Sequence, residues 1–303
     1  MRTVACIIPT HGRPDFLRES LHSVLSQRGV SVAEIVVVDD VGTPETAAIV
    51  NSLAQEIPDK TITYAHRADG LPGASASRNY GFAETSSDII AFLDDDDLWT
   101  EDHLRLAVAA LEEGGRPLSL SWMSVQEDDG APRPHFSPTR GLTFKQVLSV
   151  NPGVTGSNMV MTRDAFVAAG RFDEKLPVSN DKDFFAAYLR SGQDYTVVES
   201  RTVIHRRHSS GQLTAWNDSR ANGLEAYLLK YSDVVSAADR RYLQRQIHSI
   251  RSRTYRGFPR LREAVLLILR SSPSTLRERV ARRLRRAAGP QAHVLRTSPG
   301  HRQ

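Results

Sequence analysis

Residues 87–100 read SDIIAFLDDDDLWT, and the reading of this stretch decides the fold. An apolar run, residues 89–93, leads directly into Asp94, Asp95, Asp96 and Asp97, and then into Leu98 and Trp99. A run of like charge is ordinarily a solvated face or a tail. This one is clamped between apolar segments, where adjacent carboxylates repel one another more strongly beside a low-dielectric wall. A hard divalent cation relieves that conflict, because Mg²⁺ and Mn²⁺ prefer carboxylate oxygens. The stretch therefore predicts a buried strand that ends in a metal or phosphate site.

Working outward, strands and helices alternate. Residues 3–9 are an apolar run closed by proline. Residues 15–27 repeat Leu17, Leu21, Val24 and Leu25 at helical spacing, between Pro14 and Gly29. Residues 34–38 predict a second strand with Asp39 and Asp40 at its carboxyl end, and 44–57 a second helix. A weaker strand at 61–65 and a small-residue helix at 73–84 precede the aspartates. After them, Thr100 is placed to cap a helix carrying Leu104, Ala107, Val108 and Leu111, stopped by Gly114 and Gly115. This alternation predicts an α/β fold, a mostly parallel sheet with helices on both faces. Ligands of such sheets gather outside the carboxyl ends of the strands. Polar clusters follow three of those ends, at 10–13, 39–40 and 94–97. Neither a GxGxxG after the first strand nor a GxxxxGK[ST] loop is present, which disfavours a dehydrogenase or a P-loop NTPase.

The composition bounds the rest. A chain of 303 residues, 40% hydrophobic and 24% charged, has ample material for a buried core. The single Cys6 excludes an intrachain disulfide framework and fits a reducing compartment; within its apolar run it reads as an inert buried thiol. The apolar core of the N-terminus is too short for a signal peptide, and no apolar run reaches the length of a membrane span. The expected location is cytoplasmic.

Several segments, in this order and spacing, resemble family 2 glycosyltransferases of the GT-A fold, which is Rossmann-like. They are IIPTHGRPDFLRESLHSVLSQ, EIVVVDD, GASASRNYG, FLDDDDLW, GRFDEKL, NDKDFFAAYLRSG and VIHRRHSSGQLT, and the resemblance covers roughly residues 2–215. It implies an inverting enzyme that uses Mn²⁺ or Mg²⁺ and moves a sugar from a nucleoside diphosphate to an acceptor hydroxyl or amine. Under it, Pro9, His11, Arg13 and Asp40 hold the nucleotide. A carboxylate at Asp40 suits the imide N–H of uracil or thymine, which favours UDP or dTDP; a turn or helix cap is the plain alternative. Arg78 lies near the nucleotide, where its planar donor fork suits phosphate or base oxygens. Asp94 and Asp96 are the two acids of the DxD motif. Asp96 ligates the cation, Asp94 or Asp95 supports the ribose, and Asp97 orients the loop. Asp181 is the implied base that takes the acceptor proton, with Asp183 in reserve and helix capping as its plain alternative. His208 approaches the metal, with His205 competing for that role, and Arg206 and Arg207 raise phosphate affinity. Gly156, Ser157 and Asn158 resemble an acceptor-side segment, and Trp122 lines the acceptor pocket or belongs to the core. The loop 205–214 is expected to close over the donor. The QxxRW motif of processive synthases is missing, which favours a single transfer.

The resemblance fades after residue 217. Residues 1–217 therefore read as the nucleotide-sugar-binding and catalytic domain, 218–288 as a helical basic C-terminal region and 289–303 as a disordered tail. Helices are expected at 219–231 and 237–255, with Pro259 and Pro273 breaking the remainder into two pieces. Residues 274–287 carry an apolar stripe opposite six arginines. That pattern fits a solvated helix or a contact with an anionic membrane surface. No aromatics interleave the arginines, so no nucleic-acid partner is expected. Two other functions remain: a non-catalytic sugar-nucleotide-binding or membrane-associated scaffold, and a nucleotidyltransferase. The latter is disfavoured because THGRP is a poor match to a glycine-rich basic loop.

Overall fold

Strand β1 (Val4–Thr10) is buried at every position, and its alternating side chains divide the molecule. Ala5 and Ile7 enter one hydrophobic cluster, while Val4, Cys6 and Ile8 enter another on the opposite face. A strand covered on both sides reads as a continuous apolar run, which is why residues 3–9 are legible. The structure, a computed structural model, describes residues 2–69, 73–128, 130–208 and 217–271.

The first half alternates as the sequence predicts. After β1 come α1 (Pro14–Leu25), β2 (Val32–Asp39), α2 (Pro44–Glu56), β3 (Thr61–His66), α3 (Ala74–Ala83) and β4 (Ile89–Phe92). Strands β3, β2, β1 and β4 lie side by side in that order, all parallel. Next come β5 (Leu98–Trp99), α4 (His103–Gly114), β6 (Leu118–Glu127), β7 (Arg133–Pro134) and α5 (Phe144–Val147). A 3₁₀ turn at Gly156–Asn158 leads into β8 (Met159–Thr162), α6 (Arg163–Ala168), α7 (Asn180–Arg190) and β9 (Thr196–Arg207). This half extends the sheet as β8-β6-β9-β5, with β7 on β6. Here the pairing is mixed: β8 is antiparallel to β4 and β6, and β6 runs parallel to β9. The sheet is thus parallel where strand and helix alternate and mixed beyond β4.

Helices α1, α2 and α4 cover one face through Leu17, Leu21, Ile49, Val50, Leu104 and Leu111. The other face is covered by α6 and α7 together with α8 (Asp218–Lys230) and α9 (Ala237–Thr254). Leu224 and Tyr227 of α8 and Leu243 and Ile247 of α9 share one buried cluster with Ile7 and Phe92 of the sheet. Helix α10 (Gly257–Leu269) packs on α9. Its Pro259 is the third residue of the helix and does not break it. Backbone N–H groups in a first turn have no intrahelical partner, so proline is tolerated there. Pro273 and the residues 274–287 and 289–303 lie outside the described residues.

The expected cap at Thr100 is also corrected. Leu98 and Trp99 pair with β9, so the chain turns before helix α4 starts at His103. Asp102 occupies the cap position without a side-chain bond, and the Thr100 carbonyl accepts from Gln27 at 2.8 Å.

Candidate functional site

The four aspartates leave β4 at the carboxyl ends of the parallel strands, and each is held differently. Asp95 is wholly buried: Thr10 Oγ1 donates to Oδ2 at 2.7 Å, and the Arg13 guanidinium takes both oxygens. Burial pushes its carboxyl up to about 7, against the pull of Arg13. Asp95, one of the two carboxylates expected to support the ribose, is here an anchor for Arg13. Asp96 is slightly open, with 12% of its side chain exposed. Its Oδ2 accepts from Arg13 Nη1 at 2.7 Å and meets His208 Nε2 at 3.0 Å. Burial acts to raise its pKa, but Arg13 and His208 outweigh burial and hold it below the usual carboxylate range.

Asp97 points inward. It accepts from Ser157 Oγ at 2.6 Å and from the Arg206 N–H at 3.2 Å, and it meets His205 Nδ1 at 3.0 Å. Burial opposes protonation of His205, yet Asp97 overrides it and raises the imidazole to about 8. Between the two histidines, the structure places His208 on Asp96 and His205 on Asp97. His208 is also stacked on Phe16, centroids 4.5 Å apart. Arg206 is buried, donating to the Asp96 carbonyl and to Glu19, so the expectation that it faces phosphate is corrected. Arg207 turns to Glu127 and His135. Of the loop 205–214, residues 209–214 lie outside the described residues.

Asp94 is 29% exposed and accepts from Arg78 Nη2 at 2.5 Å. Arg78 projects from α3, is 2% exposed, and stacks over Phe172 at 5.0 Å. Its Nη1 lies 3.4 Å from Asp181 Oδ1. Gly156 is what lets it pass: a Cβ there would stand 2.7 Å from Arg78 Nη2. Arg78 therefore couples the acidic run to the first turn of α7. Burial raises the Asp181 carboxyl to about 6, with Arg78 pulling the other way. Asp181 Oδ1 has no hydrogen-bond partner among the described residues, and it caps nothing. Asp183 faces away, taking Tyr231 Oη at 2.8 Å and Lys230 Nζ at 2.8 Å from the end of α8.

At the second strand end the two acids divide their work. Asp39 is buried and accepts from the Val41 and Thr43 amides, so it makes the turn. Asp40 meets His11 Nδ1 at 2.6 Å and accepts the Gly73 N–H at 3.0 Å, bringing the starts of α1 and α3 together. Pro9 is buried in β1 opposite Val38. His11 is largely exposed.

The segment expected on the acceptor side is mostly internal. Gly156, Ser157 and Asn158 are buried, Ser157 bracing Asp97 and the Asp94 N–H, and Asn158 bonding the Ser121 and Gly153 carbonyls. Trp122 is half-buried, its indole N–H on the Pro138 carbonyl and Arg201 over its ring at 5.4 Å. Phe16 and Glu19 are site residues that the sequence does not reveal, while Thr10 falls in the expected polar cluster at 10–13. The spacing of Phe16 and Glu19 in α1 carries only the helix signal, and their contacts to His208 and Arg206 come from distant parts of the chain.

Asp96 and His208 are the candidate cation ligands that the structure brings together, the carboxylate being of the type that suits Mn²⁺ or Mg²⁺. Among the described residues no cluster of three or more His, Cys, Asp or Glu could hold a metal. The chain itself offers a partial coordination shell, which fits an ion that arrives with a diphosphate. Arg13 and His208 both hold Asp96 Oδ2, so a cation approaching that oxygen competes with Arg13.

Known proteins give the context. The succinoglycan biosynthesis protein ExoO of Rhizobium meliloti (strain 1021) is 25% identical over 273 residues, 88% of this chain and 76% of that one. S. aureus TarS 1-349 in complex with UDP-GlcNAc superposes with a TM-score of 0.58 at 18% identity, covering 88% of this chain and 70% of that one. The match covers 43% of the longer TarS chain. The mannosyltransferase PcManGT from Pyrobaculum calidifontis, in complex with GDP-Man and Mn²⁺, gives 0.59 at 18% identity, over 95% and 81% of the two chains. These structural likenesses establish the GT-A fold, a mixed α/β sheet followed by a helical C-terminal region. The model of Glycosyl transferase family 2 matches residues 5–168, more than half of the 303 residues, and with the sheet and acidic run in place the chain belongs to that family of glycosyltransferases.

Proposed function

We propose that the chain is an inverting, metal-dependent hexosyltransferase. It moves one sugar from UDP- or dTDP-sugar to an acceptor hydroxyl or amine, in small-molecule, glycolipid or polysaccharide biosynthesis. The observation that carries this reading is the linkage Asp94–Arg78–Asp181. It sets a carboxylate, ion-paired to Arg78 at 3.4 Å and with no hydrogen bond on Oδ1 among the described residues, beside the acidic run, where the donor's diphosphate would lie.

In this reading Asp181 accepts the proton as the acceptor oxygen or nitrogen attacks the anomeric carbon. The bond from that carbon to the nucleoside diphosphate breaks, with inversion. Arg78 offers its guanidinium to the leaving diphosphate while keeping Asp181 ionised. Asp40 and His11 meet the base, the carboxylate suiting the imide N–H of uracil or thymine. Asp96 and His208 would hold Mn²⁺ or Mg²⁺, which when bound supplies Lewis-acid neutralisation of the departing diphosphate.

The test is a panel of sugar nucleotides with Mn²⁺ or Mg²⁺, reading free nucleoside diphosphate with and without a crude acceptor extract. The expected result is release from at least one donor, abolished by EDTA and by Asp96→Ala. Asp181→Asn should keep donor affinity in calorimetry while losing transfer. Failure of every donor overturns the assignment, and normal transfer by Asp181→Asn overturns the base.

A further inference from the structure

Helix α10 is amphipathic in the wrong sense for a helix that only packs on its own protein. Its buried positions are Glu263 and Leu267, with Glu263 Oε2 on His248 Nδ1 of α9 at 2.6 Å. The large apolar side chains point the other way. Phe258 is 77% exposed, Leu261 61%, Val265 48%, Ile268 54% and Leu269 73%. At 3.6 residues per turn these five fall within an arc of roughly 100°, about opposite Glu263 and Leu267. Scattered apolar residues on a surface need no explanation, but a contiguous stripe marks an interaction site.

The charges around the stripe say what covers it. Arg262 borders the stripe, Arg256 and Arg270 stand exposed at the helix ends, and Arg260 is exposed on the opposite side near Leu267, while Glu263, the one acid of the helix, is buried. The adjoining sequence, residues 271–288, adds six arginines against one glutamate. A second copy of this face, or that adjoining segment folded back, would bring arginines against arginines. A bilayer with anionic headgroups complements both features at once, taking the apolar side chains among its acyl chains and the guanidinium groups among its phosphates. No helix of the described residues is long and apolar enough to cross a membrane, so the contact is interfacial. We propose that the outer face of α10 is a docking surface for an anionic lipid bilayer, with Phe258, Leu261, Val265, Ile268 and Leu269 inserted and the flanking arginines on the headgroups.

The full chain is sedimented with vesicles of phosphatidylcholine alone and of phosphatidylcholine mixed with phosphatidylglycerol. Binding should require phosphatidylglycerol. It should fall roughly tenfold or more in the combined variant Phe258→Ser, Leu261→Ser and Leu269→Ser, since each removes buried apolar area. Should that variant misfold, Leu261→Trp in vesicles with acyl-brominated lipids gives a second reading. Its added fluorescence should be quenched by the bromines relative to the parent. Binding that persists unchanged in the serine variant overturns the proposal, because the arginines alone would then account for it. So does added indole emission, in Leu261→Trp, that is already blue-shifted without vesicles and insensitive to bromine, which would mean the adjoining segment covers the helix. A concentration-dependent dimer that the serine variant abolishes, without vesicle binding by the parent, assigns the face to a second copy and also overturns it.

Discussion

Asp183→Asn separates structure from chemistry at the start of α7. Asp183 is 1% exposed, and its two oxygens are shared between Tyr231 Oη and Lys230 Nζ, each at 2.8 Å. Lys230 also reaches Asp173 at 2.8 Å and is 33% exposed. The substitution keeps an acceptor for the tyrosine but turns an amide donor toward the ammonium. Breaking a fully buried pair costs about 3–5 kcal/mol. Lys230 retains Asp173 and water, so the expected loss is smaller, about 1–3 kcal/mol. It is read as a lower urea midpoint for unfolding, with kcat at low temperature within about threefold of the parent. Asp181→Asn should show the opposite pattern, since among the described residues Asp181 Oδ1 has no hydrogen bond and only an ion pair to Arg78 at 3.4 Å. An Asp183→Asn protein that is as stable as the parent, or folded yet inactive, would falsify this division between a tie and a base.

Arg13→Gln should raise the Mn²⁺ affinity of the donor-free protein roughly tenfold or more in titration calorimetry, since it removes a cation competing for Asp96; equal or weaker affinity refutes the competition. Gly156→Ala forces a methyl to within 2.7 Å of a guanidinium ion-paired on both sides. It should lower the unfolding midpoint by about 1–3 kcal/mol of stability and disable transfer, and a variant normal in both respects shows that the site relaxes freely. The Asp181 carboxyl, raised to about 6 by burial, is protonated and useless as a base on the acid side of that value. The kcat/KM for transfer should therefore climb with pH through about 6, and a profile flat across that range removes Asp181 from the proton transfer.

The parallel half of the sheet is legible in the sequence because each strand is buried on both faces and each helix has one apolar stripe. The expected limits of β1, β2 and β4 fall close to the observed ones. The mixed half is not legible, because β5 and β7 are two-residue strands whose pairing depends on β9 and β6 rather than on any local pattern. At the site, residue types are readable and residue partners are not. Asp39 and Asp40 are adjacent and chemically identical, yet only the fold shows that Asp39 closes the turn while Asp40 faces His11. Ser157 and Asn158 are expected near an acceptor, and the structure uses them to brace Asp97 and the Ser121 carbonyl. Arg206 looks like a phosphate ligand from its basic neighbourhood. Its burial results from β9 lying against the acidic run, which is a tertiary event.

Four consecutive carboxylates beside a hydrophobic core demand compensation before any ligand arrives, and the partners supplying it come from three separate elements. Arg13 at the start of α1 holds Asp95 and Asp96, Arg78 on α3 holds Asp94, and the end of β9 brings His205 to Asp97 and His208 to Asp96. Each pair lowers the Coulomb cost of the run and ties a different part of the chain to it, so the acids organise the crevice as well as furnish it. If the donor arrives with a metal, as proposed, both meet partners already in place. In the proposed reading the exchange is balanced: a cation competing for Asp96 Oδ2 frees a guanidinium in the same crevice, where the incoming phosphates supply a new counter-charge. Either one alone leaves a charge uncompensated, so metal and nucleotide should each bind weakly alone and tighten one another. Titrating UDP with and without Mn²⁺ measures that coupling, and equal affinities in the two titrations would refute it.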